Sequence, residues 1–285
     1  MTGALVAAGI GEVWRAASRR IDRLDARLLV EHVVGCTHAD LIARPETPLS
    51  AEQAAALDAL VARRAAGEPL AYLTGSAMFH DFEFHVSPAV LIPRPETELL
   101  VELGAKFAAE RARTCPAPRI VDLGTGSGIV AITLARLCPQ AAVSAVDVSP
   151  EALAVAAANA ARLAPAVRLL AGDWYAPLAG ERFDLIVSNP PYVVSGDPHL
   201  ALNGLPFEPQ GALTDGVAGG DGLACIRAIV SGAPAHLAAD GWLLIEHGYD
   251  QAAGVRALLR AENFSEVQSW RDLAGIDRVS GGRRI

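Results

Sequence analysis

Lysine is almost missing from this 285-residue chain, since Lys106 is the only one and arginine carries nearly all the positive charge. A basic surplus is missing too. Thirty-two acidic residues face 24 basic ones, for a formal net charge of −8. A protein that grips a nucleic-acid backbone usually shows a basic excess, so direct nucleic-acid binding is not expected. Cysteine is sparse: Cys36, Cys115, Cys138 and Cys225 form neither a CxxC pair nor a Cys/His metal spacing. They read as reduced thiols, and no metal site is expected. No uncharged apolar run is long enough to span a bilayer, and the charged N-terminal stretch holding Glu12, Arg15, Arg19 and Arg20 has no signal-peptide core. The expectation is a cytoplasmic protein that does not touch membranes. With no surplus apolar stripe, it is also expected to be a monomer. Internal repeats and low-complexity linkers do not occur. What is present is a globular composition, 52% apolar and 20% charged, with length for one large domain and one small one.

The first seventy or so residues read as short helices. Leu24, Leu28, Leu29, His32 and Val33 recur at helical spacing. Ser50, followed by Glu52 and Gln53, opens an alanine-rich helix that Gly67-Glu68-Pro69 ends. Charge in residues 1–75 nearly cancels, eight arginines against nine acids, as befits a docking module more than a catalytic one.

The period then changes. Phe79, then Phe82, Phe84 and Val86 alternating with Glu83 and His85, predict a β-hairpin turning at His80-Asp81. The run Pro93-Arg94-Pro95-Glu96-Thr97-Glu98 is held extended by its two prolines before a helix starts at Glu96 or Thr97 and runs to about Arg113. From Arg119 onward strands and helices alternate. A strand is predicted where Ile120-Val121 leads into Asp122, with others at 142–146, 167–170, 183–187 and 241–246 and two more near the end, and helices to Leu137, over 149–163, about 221–238 and 249–261. Repeated βα units imply an α/β fold with a parallel sheet, helices on both faces and ligands at the carboxyl ends of the strands.

Three features at those ends compose a nucleoside groove. Gly124-Thr125-Gly126-Ser127-Gly128 joins a buried strand to a helix, where glycines permit close backbone approach to a ligand. Asp147 ends the next strand, where a carboxylate can accept both ribose hydroxyls. Asp173-Trp174 follows the third strand and offers an acceptor and an aromatic face to an adenine ring. NAD, FAD and S-adenosylmethionine all suit such a groove.

Asn189-Pro190-Pro191-Tyr192, after the fourth strand, supplies the chemistry. A planar amide-type nitrogen is a poor nucleophile because its lone pair is conjugated. Asn189 can accept one N–H through its side-chain oxygen, the Pro190 carbonyl can accept the other, the prolines fix that carbonyl's direction, and Tyr192 can stack on the planar group. Donating both hydrogens frees the lone pair for a methyl carbon on a positively charged sulfur. The methylated nitrogen then sheds its proton without a dedicated base, and none of the seven histidines is assigned a role.

Taken together these segments resemble the class I S-adenosylmethionine methyltransferases, and within them the glutamine N5-methyltransferases of peptide chain release factors. The likeness spans nearly the whole chain: Arg63 to Gly75, Val90 to Glu98, Asp122 to Gly128, Asp147, Asp173-Trp174, Asn189 to Tyr192, Phe207-Glu208-Pro209, Asp272 to Gly275 and Asp277-Arg278-Val279. Asn-Pro-Pro-Tyr is shared with methyltransferases of DNA and rRNA bases, whereas Arg-Pro-Glu-Thr-Glu joined to the helical module is specific. The sister enzymes acting on a ribosomal-protein glutamine differ in that segment.

The resemblance implies a Rossmann-like seven-stranded sheet, with a helical substrate-recognition domain over 1–74, a β-hairpin linker over 75–95 and the methyltransferase domain over 96–285. It implies that Gly124 to Gly128, Asp147, Asp173, Trp174 and Asn189 hold S-adenosylmethionine, with S-adenosylhomocysteine as product. Asn189, Pro190, Pro191 and Tyr192 would hold the glutamine of the factor's Gly-Gly-Gln motif, with Asn189, Pro190 and Tyr192 as the catalytic group. The rival reading from the same clamp is an N-methyltransferase of an exocyclic amino group on a nucleic-acid base. Two departures stand out: His80-Asp81 replaces a turn glycine usual in the family, and Thr214 to Gly222 is slightly long.

Overall fold

The computed structural model describes residues 8–202 and 204–285, in two compact units that divide between Gly75 and Ser76. The first unit is helical: α1 Ile10–Ala17, α2 Arg23–Val34, α3 His38–Ala43, α4 Ala51–Ala65 and α5 Leu70–Thr74. Polar caps set the helix starts. Asp22 accepts from the Leu24 and Asp25 amides, while Thr37 with Asp40 and Ser50 with Gln53 form capping boxes. The unit has its own core around Ile10, Leu29, Val30, Leu41, Leu57 and Val61. An Arg64–Asp25 ion pair at 2.6 Å ties α4 to α2. The buried stripe of α2 is Ala26, Leu29 and Val30, and Leu24 is 52% exposed. The periodicity had the right element but a face rotated by about one residue.

The second unit opens with a hairpin, β1 Ser76–Phe79 and β2 Phe82–His85, in register Phe79 to Phe82. His80 occupies the left-handed region at φ +50°, a conformation that favours glycine, and its N–H donates to Glu98 Oε1 at 3.1 Å. The turn thus keeps glycine-like geometry with a histidine in place. After it come α6 Thr97–Ala112, β3 Arg119–Leu123, α7 Ile129–Leu137, β4 Ala142–Asp147, α8 Pro150–Leu163, β5 Arg168–Ala171, β6 Phe183–Ser188, β7 Val193–Ser195, α9 Gln210–Leu213, β8 Thr214–Ala218, α10 Ala224–His236, β9 Leu237–Glu246, α11 Ala252–Ala261, β10 Ser265–Arg271 and β11 Asp277–Arg283.

Seven strands form one sheet in the order β10-β11-β9-β6-β3-β4-β5. Its centre is buried on both faces, so the strands read as near-continuous apolar runs. Side chains alternate between two cores. Ile120, Leu185, Val187 and Leu244 meet α6, α7 and α8, whereas Val121, Leu123, Ile186, Leu243 and Ile245 meet α10 and α11.

The sheet is not wholly parallel, which corrects the expectation from the βα pattern. β11 runs antiparallel to both β9 and β10. The reason is local: β10 and β11 are joined by the short turn at Asp272–Ile276, which leaves no room for a crossover helix. The Gly-rich stretch after Ala212 is not a plain loop either, because β8 pairs in parallel with β7 as a small separate ladder. Among the described residues no helix is long and apolar enough to cross a membrane.

Buried Asn159 of α8 welds the hairpin to the sheet's carboxyl edge. Its Oδ1 accepts from His85 N at 2.7 Å, and its Nδ2 donates to His85 O and Ser127 O, both at 2.9 Å. Asn159→Ala strands those buried groups. It is expected to lower the unfolding free energy by about 2–4 kcal/mol, read as a fall in the urea midpoint at constant m. An unchanged midpoint would contradict this account.

Candidate active site

The chain leaves β3 for β4 and β5 on one side and returns to β6 on the other, so the loops after β3 and β6 diverge and open a crevice. The ladder registers align the strand ends there, with Leu123 opposite both Val146 and Ser188. The crevice is a cavity of about 640 Å³, lined by the 89–94 segment, Thr97, Gly124 to Ser127, Asp147 to Ser149, Gly172 to Trp174, Asn189, Pro191 and residues 209–212 and 214–216.

Gly124, Gly126 and Gly128 all adopt positive φ (+74°, +55° and +85°), so the turn from β3 into α7 depends on their freedom. Asp147 holds the turn in place: Oδ2 accepts from Gly126 N at 2.8 Å and Oδ1 from Ser149 N at 2.9 Å. Each carboxylate oxygen has a second lone pair for a ligand hydroxyl. The Trp174 ring lies beside Gly124, where a Cβ would stand 3.4 Å from Cζ3, and Trp174 itself sits at φ +42°. Asp173, next to it, is exposed and lines the cavity.

Asp122 lies two residues before the glycine motif, and the sequence alone assigns it no role. It is buried at the end of apolar β3, accepts from Thr125 Oγ1 at 2.6 Å, and lines the cavity. Burial pushes its carboxyl up to about 7, against the pull of the Thr125 hydrogen bond. A carboxylate inside an otherwise apolar strand was the available signal. Among the described residues, the ionisable lining is Asp147, Asp173 and Asp215, with Asp122 raised to about 7, against Arg94. Such a wall repels the pyrophosphate of a dinucleotide and attracts a cation. The glycine loop left NAD, FAD and S-adenosylmethionine open, and the lining favours the cationic one. Among the described residues no group of three or more His, Cys, Asp or Glu could hold a metal ion.

At the acceptor end Asn189 and Pro191 line the cavity, whereas Pro190 and Tyr192 do not. Asn189 Nδ2 donates to Thr97 Oγ1 at 3.0 Å, and Oδ1 has no hydrogen-bond partner among the described residues. The Tyr192 ring packs against the α10 and α11 core, and its hydroxyl donates to Glu246 Oε1 at 3.3 Å. Its carbonyl accepts from Gln251 Nε2 at 3.0 Å.

The Pro93–Glu98 segment now has a physical account. Arg94 pairs with buried Glu208, which also accepts from Ile92 N at 3.0 Å. Thr97, fully buried, fixes Asn189, and Glu98 fixes the hairpin turn. Three side chains of this segment, Arg94, Thr97 and Glu98, thus brace the site.

Comparison with known proteins finds relatives of both units. Residues 13–75 match the family model described as PrmC N-terminal domain, and residues 98–203 match the one described as Methyltransferase small domain. A release factor glutamine methyltransferase of Bordetella pertussis is 53% identical over 263 residues, covering 92% of this chain and 95% of that protein. The protein of the same name from Escherichia coli is 43% identical over 262 residues, covering 92% of each. Among solved structures, a Thermus thermophilus 16S rRNA methyltransferase in complex with AdoMet and guanosine superposes with TM-score 0.53 at 23% identity, over 74% of this chain and 50% of that one. A Pyrococcus furiosus methyltransferase gives 0.52 at 18%, over 78% and 96%. These two share the fold. Relatives this similar over nearly the full length show that the chain belongs to the release factor glutamine methyltransferase family.

Proposed function

We propose that the protein transfers a methyl group from S-adenosylmethionine to the side-chain amide nitrogen of the Gly-Gly-Gln glutamine in peptide chain release factors, leaving S-adenosylhomocysteine. The observation that carries the reading is Asn189. Its nitrogen is committed to Thr97, so its oxygen is the atom offered to an acid-lined cavity.

The residues present fit the cofactor. Gly124 to Gly128 would let it approach the backbone, the spare lone pairs of Asp147 would take ribose hydroxyls, Asp173 and Trp174 would flank the adenine, and the acidic lining would match its cationic groups. When bound, it supplies a methyl group already activated by a positive sulfur. Asn189 Oδ1 accepts one N–H of the glutamine amide, and the carbonyl of Pro190, which lies between the two cavity-lining residues Asn189 and Pro191 without lining the cavity itself, is assigned the other. Holding the nitrogen so that its lone pair points along the transfer line is the protein's main contribution, on the order of 7–11 kcal/mol. Pro191 keeps the clamp extended, and Tyr192 acts through its anchored ring and carbonyl. The spent proton leaves to water.

The helical residues 1–74 are assigned to recognising the factor, 75–95 to the linking hairpin and 96–285 to the transfer itself. The reaction as written uses one copy of the chain, no metal and no nucleic acid, and is placed in the cytoplasm, where translation ends. A base amino group could engage the same Asn189 acceptor, but the acidic lining disfavours the phosphates that would accompany it.

Labelled S-adenosylmethionine with a full-length release factor should label the factor, and a factor whose Gly-Gly-Gln glutamine is replaced should stay unlabelled. Equal labelling of the two would sink the glutamine assignment. Asn189→Ala is expected to lower kcat by about 10²–10³-fold, so a wild-type kcat in that variant would remove the clamp. Asp147→Ala is expected to weaken cofactor binding by about 10–100-fold through loss of charge-assisted hydrogen bonds. A calorimetric titration giving wild-type affinity would refute the ribose contact.

A further inference from the structure

Glu246 ends β9 with 1% of its surface exposed, although the strand before it reads Trp242-Leu243-Leu244-Ile245. Another apolar residue would fill that space at less cost than a buried carboxylate. The register explains what it meets. Ile245 of β9 lies opposite Ser188 of β6, so Glu246 and Asn189 are the next residues of two neighbouring parallel strands. Oε1 accepts the Tyr192 hydroxyl at 3.3 Å, and Thr97 of α6 is near enough to favour the charged form of the same carboxyl group without a hydrogen bond to it in this structure. Thr97 Oγ1 already accepts from Asn189 Nδ2, so its own hydrogen is free to turn towards that carboxyl. Oε2 has no hydrogen-bond partner.

We propose that Glu246 is the positioning residue of the acceptor clamp, orienting Asn189 through Thr97 and anchoring Tyr192 directly, so that one buried carboxyl group sets the aim of both. This rests on the amide-methylating reading above. Glu246 does not line the cavity, and so it acts through its neighbours. The nearby carboxyl draws the Thr97 hydrogen away from Asn189; without it that hydroxyl can rotate towards Asn189, and the Asn189 amide is then free to flip and present N–H where an acceptor is needed.

The charge state follows from the surroundings. Burial pushes the Glu246 carboxyl up to about 7, against the lowering effect of Thr97, Tyr192 and Arg278 of β11, with Glu96 adding to the rise. Its folded value lies above its unfolded one. Its contribution to stability is therefore present at low pH and is lost as pH rises from the unfolded value through about 7.

The test compares wild type with E246Q, T97V and T97S. E246Q and T97V are expected to lower kcat for release-factor labelling by about tenfold or more, with cofactor affinity by calorimetry within about twofold of wild type. T97S keeps the hydroxyl and is expected to recover most of what T97V loses. Two readouts need no activity. In the cofactor-free protein the Asn189 side-chain amide signal should move in both E246Q and T97V spectra. Wild type should also lose unfolding stability relative to E246Q as pH rises from about 5 to about 8. A wild-type kcat together with an unmoved Asn189 signal in E246Q would overturn the proposal. So would a kcat loss matched by an equal loss of cofactor affinity. Failure of the wild type to label any release factor would instead count against the functional reading, while the amide signal and the pH slope would still report on Glu246.

Discussion

An asparagine side chain is ambiguous. It carries a donor and an acceptor on one planar group, and which of them faces a ligand depends on what holds the other. In this protein Thr97 takes the nitrogen of Asn189, and that single 3.0 Å hydrogen bond decides that the cavity is offered an oxygen. The bond in turn requires Thr97 to arrive at the first turn of α6 in one position. Pro93 and Pro95 stiffen the approach, Arg94 is clasped to Glu208, and Glu98 is tied to the hairpin turn. The polar chemistry of the site therefore rests on a segment that precedes the main sheet in the chain.

The electrostatic setting follows the same logic. Four aspartates, with the Asp122 carboxyl raised to about 7, and one arginine make a cavity in which a cation is stabilised and a phosphate is not. The arginine is already partnered by Glu208, so little positive field is left over. Both observations concern sign and placement, which a glycine-rich loop by itself does not determine.

Much of this was legible before any coordinates. Apolar runs ending in Gly124, Asp147 and Asn189 located the strand ends, because a sheet buried on both faces must be apolar and its polar punctuation falls where it surfaces. Ser50 and Ser149 marked helix starts through capping, which is a local rule. What stayed hidden was non-local. The direction of β11 depends on the shortness of its link to β10, and the β7–β8 ladder pairs segments about twenty residues apart that carry little apolar signal. Tyr192 looked like a stacking platform because its neighbours in sequence suggested one, yet its hydroxyl is drawn towards Glu246, a residue 54 positions away. Glu246 carried the same signal as Asp122, a carboxylate closing an apolar strand, but what it holds could not be read from β9 alone, since its hydrogen-bond partner Tyr192 comes from the loop after β6.

Asp147 was read as a ligand acceptor, and it is also the clasp between two loops, receiving the amides of Gly126 and Ser149. Both loops are therefore ordered before any nucleoside arrives. The entropy of fixing three left-handed glycines is met once, when the chain folds, and is not charged again at each turnover. A product that differs from the cofactor by one methyl group and one charge would meet the same clasped loops, and the acidic wall is the feature that would favour the charged one.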